Sequence, residues 1–173
     1  EDKLETCLEN IDDNVDLIYH KLEIVYEQSK SYFKKNIGRK LNKPILRDLL
    51  VGMNTKGNAI GNSSVIVRKH IFSKTGYISE NPKIVSSEDF NTWLKIAKLT
   101  NQFKYVDKKL GYYRVHDKSV QKNKDLSVPH RESLIEFMNL LNDKEKLNLE
   151  TKLKYMSGNF NIFENNFIKD KND

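Results

Sequence analysis

Two adjacent carboxylates, Glu88 and Asp89, stand at the head of the segment SSEDFNTWLKIAK, residues 86–98, which also holds the chain's single tryptophan, Trp93. A carboxylate at the end of a loop feeding a helix is well placed to act as a general base beside a cleft, if it reaches a hydroxyl proton and stays ionised. The rival role is helix initiation. Ser and Asp at a helix start accept hydrogen bonds from free backbone N–H groups, and acids in the first turn gain about 0.3–1 kcal/mol from the helix dipole. Ser86 with Asp89 three residues on resembles a capping box, although Glu or Gln is usual at the second position. Successive helix residues do not share a face. Glu88 and Asp89 therefore cannot flank one bond as the two carboxylates of a glycosidase do. One of them can still be a base while its neighbour serves the helix.

Other chemistries find little support. His20, His70, His116 and His130 have no close His or Cys companion in the sequence, which speaks against a zinc site. GNAIGNSS lacks the lysine and spacing of a phosphate-binding loop, and neither a dinucleotide fingerprint nor a nucleophile elbow is present. Asn62 begins an N-x-S triplet, a pattern frequent by chance. Cys7 lies on the apolar face of an expected helix and reads as core filler; a single cysteine forms no internal disulfide and suits a reducing, cytoplasmic setting. Tyr32 and Phe33 lie among basic residues between Lys30 and Arg47, a mixture that binds phosphates but is commoner in a solvated loop.

The elements that must carry these residues follow from periodicity. Leu4, Cys7, Leu8 and Ile11 recur at helical spacing. VDLIYHKLEIVY alternates, with a phase shift between Tyr19 and Leu22 that predicts two paired strands or one strand with a bulge. Residues 28–43 read as a basic loop, and PILRDLLVGM as a helix opened by Pro44. SSVIVRK predicts a short buried strand, and KHIFSKTG one or two helical turns stopped by Gly76. Phe90, Trp93, Leu94 and Ala97 form the apolar face of the helix after the two acids. QFKYVDKKLGYYRVH predicts one or two strands. VPHRESLIEFMNLL and DKEKLNLETKLKYM predict two helices, before a frayed last stretch.

The 173 residues suit one domain, or one with a tail. With 38% apolar and 31% charged residues, three Pro and seven Gly, the chain can form a core and is no disordered linker. No run of about 18 apolar residues predicts a membrane-spanning helix, and no signal peptide is evident. The net charge of +6 permits nucleic acid, anionic headgroups or phosphorylated substrates and selects none of them.

The order of segments is more informative than any one of them. DKLE, VDLIY, GNAIGNSSVIVRKHIFSKTG, SSEDFNTWLKIAK and FKYVDKKLGYYRVH follow one another over residues 1–120. This series resembles the second half of the catalytic domain of family 2 glycosyltransferases, which have the GT-A fold. Their corresponding series is a small-polar strand followed by Arg, a short helix ending at Gly, a Glu-Asp helix with Trp, and a strand ending in Tyr-Arg-x-His. The resemblance implies an α/β fold: a partial GT-A-like mixed sheet flanked by helices, with a helical C-terminal tail over residues 121–173. It also implies transfer of a sugar from a nucleotide-sugar donor to a glycan or lipid-linked acceptor hydroxyl, with inversion, as in bacterial surface glycan synthesis.

By the same resemblance Asp89 is the catalytic base. Glu88 orients the acceptor or starts the helix, and Trp93 offers a sugar-stacking surface unless its place in the apolar stripe claims it for the core. Arg114 is a candidate diphosphate contact and His116 a candidate metal ligand, against the simpler roles of an ion-paired arginine and a strand-ending histidine. Ser63, Ser64 and Arg68 match as scaffold on the acceptor side, and Lys95 stands where Arg is frequent. A divalent metal, Mn or Mg, is implied, held mainly by Asp-rich residues that in relatives precede the segment matching EDKLE. Asp12 and Asp13 come after that segment and read as a turn. The nucleotide-binding half has no counterpart, so the resemblance implies a truncated domain that does not turn over alone. It would sit in the cytoplasm or at the inner face of the cytoplasmic membrane. The alternatives are a non-enzymatic saccharide- or partner-binding module and a basic nucleic-acid-binding domain.

Overall fold

The computed structural model describes residues 2–26, 36–38, 40, 58–116 and 125–158. Helix α1 spans Asp2–Glu9, followed by strands β1 (Leu17–Tyr26), β2 (Asn36–Ile37) and β3 (Val65–Val67). Helices α2 (Lys69–Lys74) and α3 (Glu88–Leu99) precede strand β4 (Phe103–Val115). Helices α4 (Ser127–Leu134) and α5 (Asp143–Gly158) follow, joined by a 3-10 segment, Ile135–Leu140. The expected helix at PILRDLLVGM and the frayed end lie outside the described residues.

The sheet is mixed and has β1 at its centre. One edge of β1 pairs in parallel with β4, from Leu17↔Phe103 to Tyr26↔Val115. The other edge pairs antiparallel with β3 at Leu17–Tyr19 and then with β2 at Leu22 and Glu23. The phase shift of the sequence is here a single strand with register irregularities between His20 and Glu23, where β4 contributes extra residues opposite β1. Residues 28–43 are not all loop: Asn36 and Ile37 form β2. Two residues leave no periodic trace, and pairing to Leu22 and Glu23 is what makes them a strand.

Alternation along β1 divides the core. Leu17 and Tyr19 face the larger cluster, with Ile60, Ile71, Phe90, Trp93, Leu94, Ile96 and Ala97. Ile18 faces the opposite cluster, with Cys7, Val15 and Val106. The apolar stripe of α3 is thus buried as its spacing predicts. The face expected for α1 is not. Cys7 and Thr6 are buried, whereas Leu4 and Leu8 are 58% and 59% exposed. The helix ends at Glu9, so Ile11 reaches the core from the turn and not from the helical face. Leu134, Phe137, Leu141, Leu149 and Leu153 of the tail are buried in the same cluster as α3. The chain is therefore α/β, a mixed sheet flanked by helices and closed by C-terminal helices, as in a partial GT-A-like fold. No helix among the described residues is long and apolar enough to cross a membrane.

Candidate active site

The start of α3 is built in a tight space. The 3-10 turn Pro82–Ile84 is capped by Asn81, whose Oδ1 accepts the Lys83 N–H at 3.0 Å. The Ser87 N–H donates to the Ile84 carbonyl at 2.8 Å. Between them Ser86 takes φ +78°, a left-handed conformation that costs a non-glycine residue about 1–3 kcal/mol. Ser87 is the N-cap residue, but its hydroxyl makes no capping bond. The capping box suggested by Ser86 and Asp89 does not form. Asp89 Oδ1 instead accepts the N–H of Phe90 at 2.6 Å, satisfying one free donor of the first turn.

The Asp89 carboxyl is pushed up to about 6, chiefly by burial and further by the negative charge of Glu88; the Phe90 N–H offsets part of this. Tyr113, near the end of β4, is raised by burial and by the charge of Asp89. The start of α3 and the end of β4 thus meet electrostatically. Tyr113 is the Tyr of the Tyr-Arg-x-His motif, where the sequence gives it no chemical role of its own.

Buried polar atoms without a hydrogen-bond partner gather at the same place. Among the described residues there are six side-chain atoms of this kind, and Ser87 Oγ, Glu88 Oε2, Asn91 Oδ1 and Trp93 Nε1 are four of them. The other two are His20 Nε2 and His130 Nδ1, and the His130 ring lies 6.5 Å from that of Phe90. Buried polar groups are normally paired, so a concentration of unpaired ones marks this turn as unlike the rest of the core.

The remaining candidates are spread out. Trp93 is 4% exposed and packs in the larger core cluster, leaving almost no ring surface for a sugar. Arg114 follows Tyr113 on the opposite face of β4 and is exposed, and His116 is half-buried just past the strand; both interact with other groups of the protein. Arg68 is scaffold: its Nε donates to the Val15 carbonyl at 2.7 Å and its Nη2 to the Asp12 carbonyl at 2.6 Å. Asp12 Oδ1 accepts the Asn14 N–H at 2.7 Å, the side-chain turn expected of that stretch. No three His, Cys, Asp or Glu side chains converge among the described residues in a way that holds a metal ion. The divalent metal that the resemblance implies therefore finds no assembled site among these residues.

Comparison with curated proteins and with solved structures finds no match. Residues 1–156 match the family described as glycosyltransferase-like family 2, a span that includes both acids, the β4 strand and most of the tail helices. The match supports a glycosyltransferase role, with a nucleotide-sugar as donor and a second molecule as acceptor. With the match running from the first residue through nearly all of α5, this chain belongs to glycosyltransferase-like family 2.

Proposed function

We propose that the chain carries the acceptor-side machinery of an inverting glycosyltransferase, with Asp89 as general base. One Asp89 oxygen takes the proton of the acceptor hydroxyl as that oxygen attacks the anomeric carbon of the nucleotide-sugar. The bond from that carbon to the nucleoside diphosphate breaks as the new one forms, and the diphosphate leaves. A single displacement from the opposite side inverts the centre. Glu88 orients the acceptor, and Arg114 contacts the diphosphate. His116, a candidate metal ligand, takes no part in these steps. A cell-surface or lipid-linked glycan is the acceptor the family suggests, handled at the cytoplasmic face of a membrane.

The observation that carries this reading is the Asp89 carboxyl, half-buried at the helix start and pushed up to about 6. A carboxylate with that affinity is still ionised at pH 7 and accepts a proton more readily than an ordinary one. The test is release of nucleoside diphosphate from a panel of nucleotide-sugars by the intact enzyme, with this chain joined to a nucleotide-binding half, and by its Asp89→Asn variant. Turnover should fall by at least about a hundredfold, the range associated with loss of a positioned general base, while donor affinity changes little. Near-normal turnover in the variant would remove Asp89 from the mechanism and favour a saccharide-binding module.

A further inference from the structure

The first turn of α3 is braced from the tail. Asn91, 6% exposed, donates from Nδ2 to the Ser133 carbonyl of α4 at 3.0 Å. Ser133, fully buried, has its hydroxyl 3.2 Å from the Ser87 carbonyl and 2.8 Å from the Pro129 carbonyl. The Ser87 carbonyl also accepts the N–H of Asn91 at 3.0 Å, the first hydrogen bond of the helix. The single Ser133 hydroxyl proton is shared between the Ser87 and Pro129 carbonyls, the nearer being Pro129 of its own helix. Helix α4 is therefore bonded to Asn91 and within hydrogen-bond reach of the cap residue, with Asp89 between them. It also packs against the 3-10 turn Pro82–Ile84 that leads into the cap. A backbone held at φ +78° at Ser86 persists only where its surroundings fix it, and α4 supplies those surroundings.

We propose that Asn91 and Ser133 are positioning residues for Asp89: α4 clamps the first turn of the α3 helix and fixes where the Asp89 carboxylate stands. The inference rests on the reading of Asp89 as the base. A clamp is also the simplest account of polar groups placed inside an apolar interface. Alanine would fill the Ser133 position without a polar group to desolvate, and a buried hydrogen bond adds only modestly to stability. What the Asn91 bond and the shared Ser133 hydroxyl add is a fixed geometry, and misplacement of a catalytic group by about 1 Å can lower a rate a hundredfold.

The groups whose charge bears on this region are Glu88 on α3 and Tyr113 on β4, both coupled to Asp89. His130 on α4 is held neutral by burial, with the Lys152 charge of α5 acting in the same direction. None of them is altered by replacing Ser133 or Asn91.

The test pairs Ser133→Ala with Ser133→Thr, which keeps the hydroxyl, and with Asn91→Ala as a second way to cut the clamp. Two readouts are taken on each folded variant. One is the kcat and KM for nucleotide-sugar turnover across pH, with each variant placed in the intact enzyme. The other is direct NMR titration of the Asp89 carboxyl. With the clamp cut, kcat should fall about tenfold to a hundredfold with KM nearly constant. The Asp89 titration should move toward the ordinary carboxylate range as water enters the turn, and Ser133→Thr should restore both. If Ser133→Ala and Asn91→Ala fold and titrate as the parent does, the clamp is overturned whatever their rates. If the titration moves but Asp89→Asn still turns over, the clamp stands as a structural fact and the catalytic reading of Asp89 is what fails.

Discussion

Two acidic turns of this protein can be set side by side. The turn after α1, residues Asp12–Asp16, is internally satisfied. Asp12 Oδ1 takes the Asn14 N–H, Asp16 Oδ2 takes the Thr100 hydroxyl at 2.6 Å, and Arg68 closes the Asp12 and Val15 carbonyls. The turn before α3 is the reverse. Its backbone is left-handed at Ser86, Ser87 and three residues in the first two turns of α3 carry buried atoms without a protein partner, and the Asp89 carboxyl is raised by burial. Both turns look alike in sequence, a cluster of acids and small polar residues at a helix boundary. The first spends its polar groups on holding the fold together. The second leaves several without a protein partner, the kind of local inconsistency expected at functional or strained sites.

The largest effect should come from cutting the second turn at its centre. Asp89→Asn removes the proton acceptor and should abolish turnover to within about one part in a hundred or less. It should also stabilise the protein. The folded-state affinity of Asp89 for its proton, about 6, lies above the unfolded value near 3.9. Between these values the folded chain keeps a proton that the unfolded chain has released. Stability therefore falls as pH rises through this window, and the whole penalty is present above about 6. Asn keeps the oxygen that accepts the Phe90 N–H and carries no charge. A gain of roughly 1–2 kcal/mol at pH 7.5, vanishing near pH 4, is expected from urea denaturation at the two pH values. A variant that is inactive but no more stable at pH 7.5 would mean that Asp89 is not desolvated in solution.

The same carboxyl fixes the next effect. The acid limb of the rate profile should bend near pH 6, with about tenfold loss per pH step below it, because only the ionised form takes the acceptor proton. A limb near pH 4 would mark a solvated base and would erase the electrostatic difference between the two turns.

Smaller still is the effect of breaking the first turn. Arg68→Ala leaves the Val15 and Asp12 carbonyls without their guanidinium donor and should cost about 2 kcal/mol, the range for hydrogen bonds from a charged group. Arg68→Lys should recover part of this. Neither should move the acid limb of the rate profile. A shift of the limb in Arg68→Ala would show the two turns to be coupled through the sheet.

What the sequence reveals follows the same division. The stripe Phe90, Trp93, Leu94 and Ala97 was legible because burial along a helix repeats, and the irregularity in β1 because a phase shift in alternation has few causes. Leu4 and Leu8 misled because a two-turn helix does not fix which face meets the sheet; Cys7 does. The 3-10 segment Ile135–Leu140 was read as helix because its apolar spacing suits either form. The two acids were legible as a pair of interest, but the state of Asp89 was not. That depends on how far the fold withdraws it from water, with Glu88 beside it. Tyr113, which the Asp89 charge shifts in turn, lies on a strand far along the chain. The clamp from Ser133 spans a separation in sequence that no local pattern carries.

The left-handed Ser86 was equally hidden, since serine gives no signal of a positive φ, and it offers the finest test of the comparison. Two terms oppose each other when it is replaced. Ser86→Gly relieves a conformation that costs an L-residue about 1–2 kcal/mol. It also adds unfolded-state freedom, worth roughly 0.5–1 kcal/mol in the other direction. The net against the parent should be a small gain, below about 1 kcal/mol. Ser86→Ala keeps the penalty and loses only the hydroxyl, so Gly should exceed Ala by a similar margin, roughly 0.5–1 kcal/mol, in denaturant unfolding. Equal stabilities would mean that the turn relaxes in solution, and the strain that sets it apart from the Asp12–Asp16 turn would be gone. If Gly is the more stable and kcat falls with it, the strain has a use: the backbone at Ser86 is held where it is because that is where Asp89 must point.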